Sequence, residues 1–445
     1  MVQIAPFRGV LYNPAKIRDL SKVIAPPYDV ITPEEREKLL HRSPYNVVRL
    51  ILNQDADPYA SVGRLFAGWQ AEGIFVRDEE PAIYFLWHRF SYRGEERERP
   101  GFLALSRIED FSSGAIRPHE RTFDGPKADR LRVMLACHAN LSPIFGLYSQ
   151  PNAVLNRTLA EHLQGVAPLA QVAEEGARTC SLWRVTDPDM LDLVEREMSE
   201  QPLLIADGHH RYEAALRYRD LQRQENPGWS GREPFNYVMM YFANMNDSGL
   251  VILPTHRLVR GFKAIPFLKL EEELQRYFYI EPYPKTPEGQ RWFLRALRSG
   301  GKKRHLIGAS FKRDPRYLIL RLKNKRIMQR LVKDLSGSLR ELDVTALHQL
   351  ILEHILGLTP QEQAREENVS YSHDEEKVLG ALEKEDYQAA FILNPPQPDE
   401  IMSVAAGGEK MPQKSTYFYP KLISGLVINK IDPDEEILVR AAPGT

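Results

Sequence analysis

The segment from Pro202 to Leu216 limits what the chain can fold into more than any other. Pro202-Leu203-Leu204-Ile205-Ala206 is an apolar run of strand length, and Asp207-Gly208 is a turn dipeptide. From Arg211 onward the residues are strong helix formers, with Tyr212, Ala215 and Leu216 on one stripe. A strand, a tight turn and a helix start in direct succession aim unsatisfied N–H groups, and the positive end of a helix dipole, at one point. Asp207, Gly208, His209, His210 and Arg211 crowd that point. A guanidinium is a planar fork of donors that matches phosphate oxygens, so the corner is expected to seat a phosphoryl group. A lone Gly-His pair is ordinarily structural; five such residues in a row at a strand-to-helix junction read as a site.

A chain of 445 residues has room for two or three domains. With 59 basic and 60 acidic residues its net charge is −1, so no global field draws it to nucleic acid. Cys137 and Cys180 are the only cysteines, too few for a disulfide framework or a cysteine-based zinc site. They fit a reducing compartment. No signal peptide, membrane span, repeat or low-complexity tract is visible, and a cytoplasmic protein without membrane or nucleic-acid partners is expected.

Along the first third, Phe7 to Tyr12 reads as a strand. Thr32, Pro33 and Glu35 predict a capping box that opens a helix over 33–41. Tyr45 to Leu52 reads as a strand, Pro58 to Glu72 as a helix, and Ala82 to Tyr92 with Gly101 to Glu109 as a hairpin whose turn is Arg93 to Glu96. A second rich stretch, Ile116 to Arg130, mixes His119, Glu120, Lys127 and Arg130 among prolines and a glycine, with a helix expected from about Pro126 to His138. Such a loop is ordinarily a solvated surface. Glu120 flanked by cations adds a second reading, a carboxylate that accepts a proton or holds a metal beside bound phosphate. Asn140 and Ser142 either bind ligand or cap a turn.

Asn236 to Asn244 and Leu250 to Pro254 read as a hairpin, followed by the basic pair His256-Arg257. Past Arg260 the composition changes. Helices are expected over 267–277, 287–297 and 344–356, the last capped by Asp343, and Gly300 to Arg304 reads as a basic turn. His348 and His354, six apart, miss the spacing of a helical metal pair. The third rich stretch, Gly407 to Lys421, places Lys414, Ser415 and Thr416 after glycines, a set friendly to anions. Gln413 stands where a Walker loop needs glycine, which excludes a P-loop. A strand is expected over 422–429. The domains are placed at 1–262 and 263–445, with the 407–421 loop returning to the site.

Pro26 to Ile31, His119 to Thr122, Asp129 to Leu131, Asn140 to Pro143, Ala206 to Tyr212 and Met411 to Thr416 resemble, in this order, the family catalogued as domain of unknown function 1015. More distantly, Gly208 to Ala214 resembles the phosphate-binding segment of the ParB and sulfiredoxin superfamily, which includes free-serine kinases. The resemblance implies an α+β fold: a mixed sheet core carrying a phosphate-binding unit, and a second α+β region. Pro118-His119-Glu120 resembles the kinase segment that carries the base, which makes Glu120 the matching residue. His209 stands where sulfiredoxin has its reactive cysteine, which rules out sulfinic-acid repair.

The expected function is a small-molecule kinase. It would move a phosphoryl group from pyrophosphate, ADP or ATP to free L-serine, the acceptor being implied by the resemblance alone. In that scheme His209, His210 and Arg211 hold the phosphates with Gly208, while Lys127, Arg130 and Lys414 neutralise charge. Asn140, Ser142, Ser415 and Thr416 bind substrate, Glu120 serves the acceptor hydroxyl, and Asp207 holds Mg²⁺ or fixes the histidines. The alternatives are a nucleotide-gated DNA-binding protein of the partition type and a metal-dependent phosphohydrolase on His119, His209 and His210.

Overall fold

In a computed structural model, residues 2–120, 122, 124–174, 178–263, 265–301, 305–363 and 367–438 are described. They form two units. The first gathers Met1–Pro118, Thr122–Val251 and Pro420–Thr445; the second takes His119–Arg121 and Ile252–Tyr419. The split expected from the sequence was at 262. The boundary falls earlier, and the last segment rejoins the first unit. Lys302, Lys303 and Arg304 of the expected basic turn, and Arg121 beside Glu120, lie outside the described residues.

The first unit is built on a mixed sheet. Its strands run in the order Ile116–Pro118, Leu203–Asp207, Ile144–Tyr148, Tyr237–Asn244, Glu95–Arg107, Ile83–Tyr92, Arg178–Val185 and Ala170–Glu174. The hairpin of Ile83–Tyr92 with Glu95–Arg107 closes on Arg93 and Gly94, both at positive φ (54° and 80°), the conformation a two-residue turn between twisted strands needs. Leu155, Leu159, Val194, Met198, Tyr212 and Ala215 from three helices pack with Ile83, Phe85, Phe102, Ile205, Met240 and Phe242 into one core. A second core lies among helices Pro33–Arg42, Val48–Ile51 and Pro58–Ala71 and a four-stranded sheet ordered Phe75–Arg77, Gly9–Tyr12, Ile428–Lys430, Ala139–Asn140. The capping box is present: Glu35 N donates to Thr32 Oγ1 (3.2 Å), and Thr32 N donates to the Glu35 carboxylate (2.9 Å).

In the second unit six antiparallel strands run Phe278–Pro284, Arg316–Leu322, Leu306–Phe311, Ala389–Leu393, His256–Val259, Val369–Ser372. Helices Pro287–Gly301 and Glu375–Lys384 contribute Phe293, Leu297, Val378 and Leu382 to its core. The fold class is α+β, as expected.

Four local expectations are corrected. Residues 45–52 hold a helical turn, Val48–Ile51, not a strand. Buried Asn46 decides this: its amide donates to Lys22 O (2.8 Å) and Ile24 O (3.0 Å), and its oxygen accepts from Val48 N (2.9 Å). Tyr237–Asn244 makes no hairpin with 251–253, because both its edges are taken, by Glu95–Arg107 and by Ile144–Tyr148. Beyond Asp343–Thr345 the expected α-helix winds as a π-helix, Ala346–Ile355, and Asp343 lies in the first turn of the short α-helix and pairs with His305 where a capping role was expected. Of 422–429 only the last two residues are in a strand, Ile428–Lys430; Gly425, at φ 95°, breaks the extended run before it.

Candidate functional site

Leu203–Asp207 enters the sheet between Ile116–Pro118 and Ile144–Tyr148 and ends in a bulge at Asp207. Gly208 follows at φ 90°, ψ 27°, left-handed backbone that glycine adopts without penalty. The helix His209–Glu225 then opens, its first bond running from Tyr212 N to Gly208 O (3.0 Å). The N–H groups of the first turn therefore face out of the helix end, where the dipole favours an anion. The expected junction is present, with the helix starting two residues earlier than Arg211.

Asp207 is gripped on both oxygens. Oδ1 accepts from Lys421 Nζ, and Oδ2 accepts from Arg211 Nη2 at 2.6 Å. Burial pushes this carboxyl up, but the Lys421 ammonium and the Arg211 guanidinium together outweigh it and hold Asp207 well below the usual carboxylate range. Arg211 Nη1 donates to Pro143 O, and Nε is buried with no hydrogen-bond partner. The guanidinium is folded against Gly208: a β-carbon there would stand 2.9 Å from Arg211 Nε. His209 is buried at the helix start and His210 is half-buried.

Lys421 is the residue that sequence reasoning missed. It lies inside the 407–421 stretch, but its partner is 214 positions away, and no local pattern announces an ion pair across that distance. Tyr28 was missed as a site residue too. Its ring lies 4.0 Å under the Arg130 guanidinium, and its hydroxyl is pushed up to about 12, chiefly by burial. Tyr28, Arg130, Asn140, Ser142 and Arg211 line one narrow recess of the first unit, so four of the expected residues do come together.

Arg130, Asn140 and Ser142 also have scaffold work. Arg130 pairs with Asp129 and donates to Ile51 O (2.8 Å). Asn140 accepts from Met239 N (3.0 Å) and from Asn429 Nδ2 (2.9 Å), tying three strands. Ser142 shares a hydrogen bond with Ser424 (2.7 Å). Lys127 bridges Asp124 (2.9 Å) and Glu213 (3.1 Å), and the Asp124 bond in particular raises its ammonium pKa.

His119, Glu120, Lys414, Ser415 and Thr416 belong to the second unit, where they form one knot. Met411 N donates to His119 O (2.7 Å), His119 Nε2 shares a hydrogen bond with Thr416 Oγ1 (2.8 Å), and Lys414 N donates to Glu120 Oε1 (2.7 Å). Lys414 holds positive φ (54°), and its carbonyl accepts from the wholly buried Arg257 (3.1 Å). Burial lowers the Arg257 pKa to about 10, against the pull of Tyr371 and Glu120. Ser415 is buried, its hydroxyl turned onto Pro412 O.

The expected magnesium ligand does not fit. A Mg²⁺ carboxylate needs a bare oxygen, and both oxygens of Asp207 already hold cations. Among the described residues no group of three or more His, Cys, Asp or Glu side chains is placed to hold a metal. No helix among them is long and apolar enough to cross a membrane.

The family model described as "Protein of unknown function (DUF1015)" matches residues 4–345. Comparison with curated proteins gives no match. Among solved structures, the chain is similar to a conserved hypothetical protein from Pyrococcus furiosus (13% identity, 71% of this chain and 92% of that one, TM-score 0.31). It is similar to a free serine kinase in complex with AMP (12%, 68% and 83%, TM-score 0.29). It is also similar to SbnI with C-terminal truncation from Staphylococcus aureus (13%, 75% and 90%, TM-score 0.36).

Proposed function

The chain belongs to the DUF1015 family, and for it we propose phosphoryl transfer to a small molecule, with the donor's phosphates seated at the Gly208 junction. The acceptor in this reading is the hydroxyl of free L-serine, and the donor is pyrophosphate, ADP or ATP. The observation that carries the proposal is the state of Arg211. Its Nη atoms are anchored by Asp207 and Pro143, which fixes the guanidinium plane, and its Nε–H is buried and unpartnered beside a helix N-terminus. A guanidinium held this way binds oxyanions without losing rotamer freedom at the moment of binding.

Lys421 adds a second positive charge against Asp207. Cations fixed in place before charge spreads over the transferring phosphoryl are the main catalytic resource of such reactions. In the step itself the serine oxygen bonds to phosphorus, the bridging P–O bond breaks, and the hydroxyl proton passes to a base. The choice of L-serine, and of Glu120 as that base, rests on the resemblance of Gly208 to Ala214 and of Pro118 to Glu120 to the free-serine kinases. No step is routed through a metal, since Asp207 does not fit one.

The test is to incubate the purified full chain with L-serine and each of pyrophosphate, ADP and ATP, and to measure O-phosphoserine by mass spectrometry. Product with one donor, lost in Glu120→Gln and in Arg211→Ala, is the expected result. No product with any donor overturns the reading.

A further inference from the structure

The second unit contains a cavity of about 230 Å³, which meets the Glu120–Lys414 knot only at Ser415. Thr255, His305, Asp343, Asn394, Pro395 and Glu400 are among the residues that line it. Its polarity is lopsided. His305 Nδ1 and Asp343 Oδ1 are 2.9 Å apart, and the pairing raises the imidazole, so that one cation is already spent. Lys325 is spent likewise on Glu341 (2.9 Å) at the exposed rim.

The acidic side is left in excess. Glu400 gives Oε2 to the Gln397 N–H (2.8 Å) at the head of helix Pro398–Ala406. Its carboxyl is pushed up first by burial and further by the neighbouring charge of Asp343. Asp343 itself is raised by burial, against the pull of His305. Two carboxylates that repel each other in a half-enclosed cavity form a place where a cation relieves strain. Pro395 and Pro396 wall the cavity with residues that have carbonyls and no N–H.

A separate observation points the same way. Thr255 is 2% exposed, lines the cavity, and its hydroxyl has no hydrogen-bond partner. A buried hydroxyl ordinarily finds a partner.

We infer that this cavity binds a primary ammonium group, whose three N–H donors are taken by Asp343, Glu400 and Thr255. The shared chemistry has two sources, an α-amino acid or a polyamine. The inference does not depend on the proposed phosphoryl transfer, and its test reads binding, not turnover.

The experiment is calorimetric titration of the full chain, without phosphoryl donor, with L-serine in one arm and putrescine in the other. Saturable binding in either arm is expected, weakened about tenfold or more in both Asp343→Asn and Thr255→Val, the scale of one lost charge-assisted bond. The arm that binds tells which source the cavity takes. Thr255→Val preserves shape and charge, so it carries the test alone where Asp343→Asn fails to fold. No binding in either arm, or binding that Thr255→Val leaves unchanged, overturns the inference.

Discussion

The guanidinium of Arg211 occupies the space that a side chain on Gly208 would need: a β-carbon there would lie 2.9 Å from Nε and 3.0 Å from Cζ and Nη2. Gly208→Ala therefore carries two costs. Left-handed backbone (φ 90°) costs a non-glycine residue about 1–2 kcal/mol, and the guanidinium must leave its seat. Thermal unfolding should show the first. Calorimetric titration with pyrophosphate should show the second, as weaker binding than in a control variant equally destabilised elsewhere. Equal affinity in the two variants would separate Gly208 from the anion seat.

Arg211→Ala and Arg211→Lys make a second test. A lysine keeps the charge but loses the fixed planar fork. Alanine should lose on the order of 3 kcal/mol of transition-state stabilisation, roughly two orders of magnitude in kcat/KM. Lysine should recover little of it. Full recovery by lysine would mean that charge alone matters at this position.

Lys421→Met tests the ion pair through pH. The folded-state pKa of Asp207 is depressed, so its contribution to stability is present above the unfolded-state value near pH 4 and is lost as pH falls through the folded value. Without the ammonium, burial raises the folded value. At pH 7 the variant should be less stable by about 2 kcal/mol, less than the cost of stripping a buried carboxylate of every partner, because Arg211 remains. Below about pH 4 the gap should narrow, as the variant's Asp207 takes up its proton first. Urea unfolding at pH 7 and pH 3 measures both; a gap that stays constant contradicts the assignment.

Asn46→Ala should be among the more damaging single substitutions in the first unit. It leaves Lys22 O, Ile24 O and Val48 N without the partner they have now, all at or near the buried core. A loss of about 2–4 kcal/mol follows from the unsatisfied groups, read as a shift in the urea midpoint.

That residue also marks where the sequence stopped being legible. The 45–52 run is apolar and β-branched, and period alone reads it as strand; what bends it into a helical turn is a hydrogen bond to Lys22 and Ile24, which no window of eight residues contains. The same holds for Lys421, visible as a residue of a rich loop and invisible as the partner of Asp207. Tyr237–Asn244 looks like half of a hairpin until both its edges are seen to be taken from elsewhere. The capping box at Thr32, the Arg93-Gly94 reversal and the Asp207–Arg211 junction were legible because the chemistry that fixes them lies within a few positions. Arg130 and Asn140 were read for their charge and polarity; both line the recess, and the hydrogen bonds they make are to the scaffold.

The Pro420–Thr445 segment has a consequence for biosynthesis. A nascent polypeptide released only as far as Tyr419 lacks Ile428–Lys430, the middle rung between Gly9–Tyr12 and Ala139–Asn140, and lacks the ammonium that neutralises Asp207. The Asp207 junction is thus incomplete until Lys421 has been made, although its Gly-His-His-Arg core is translated more than two hundred codons earlier.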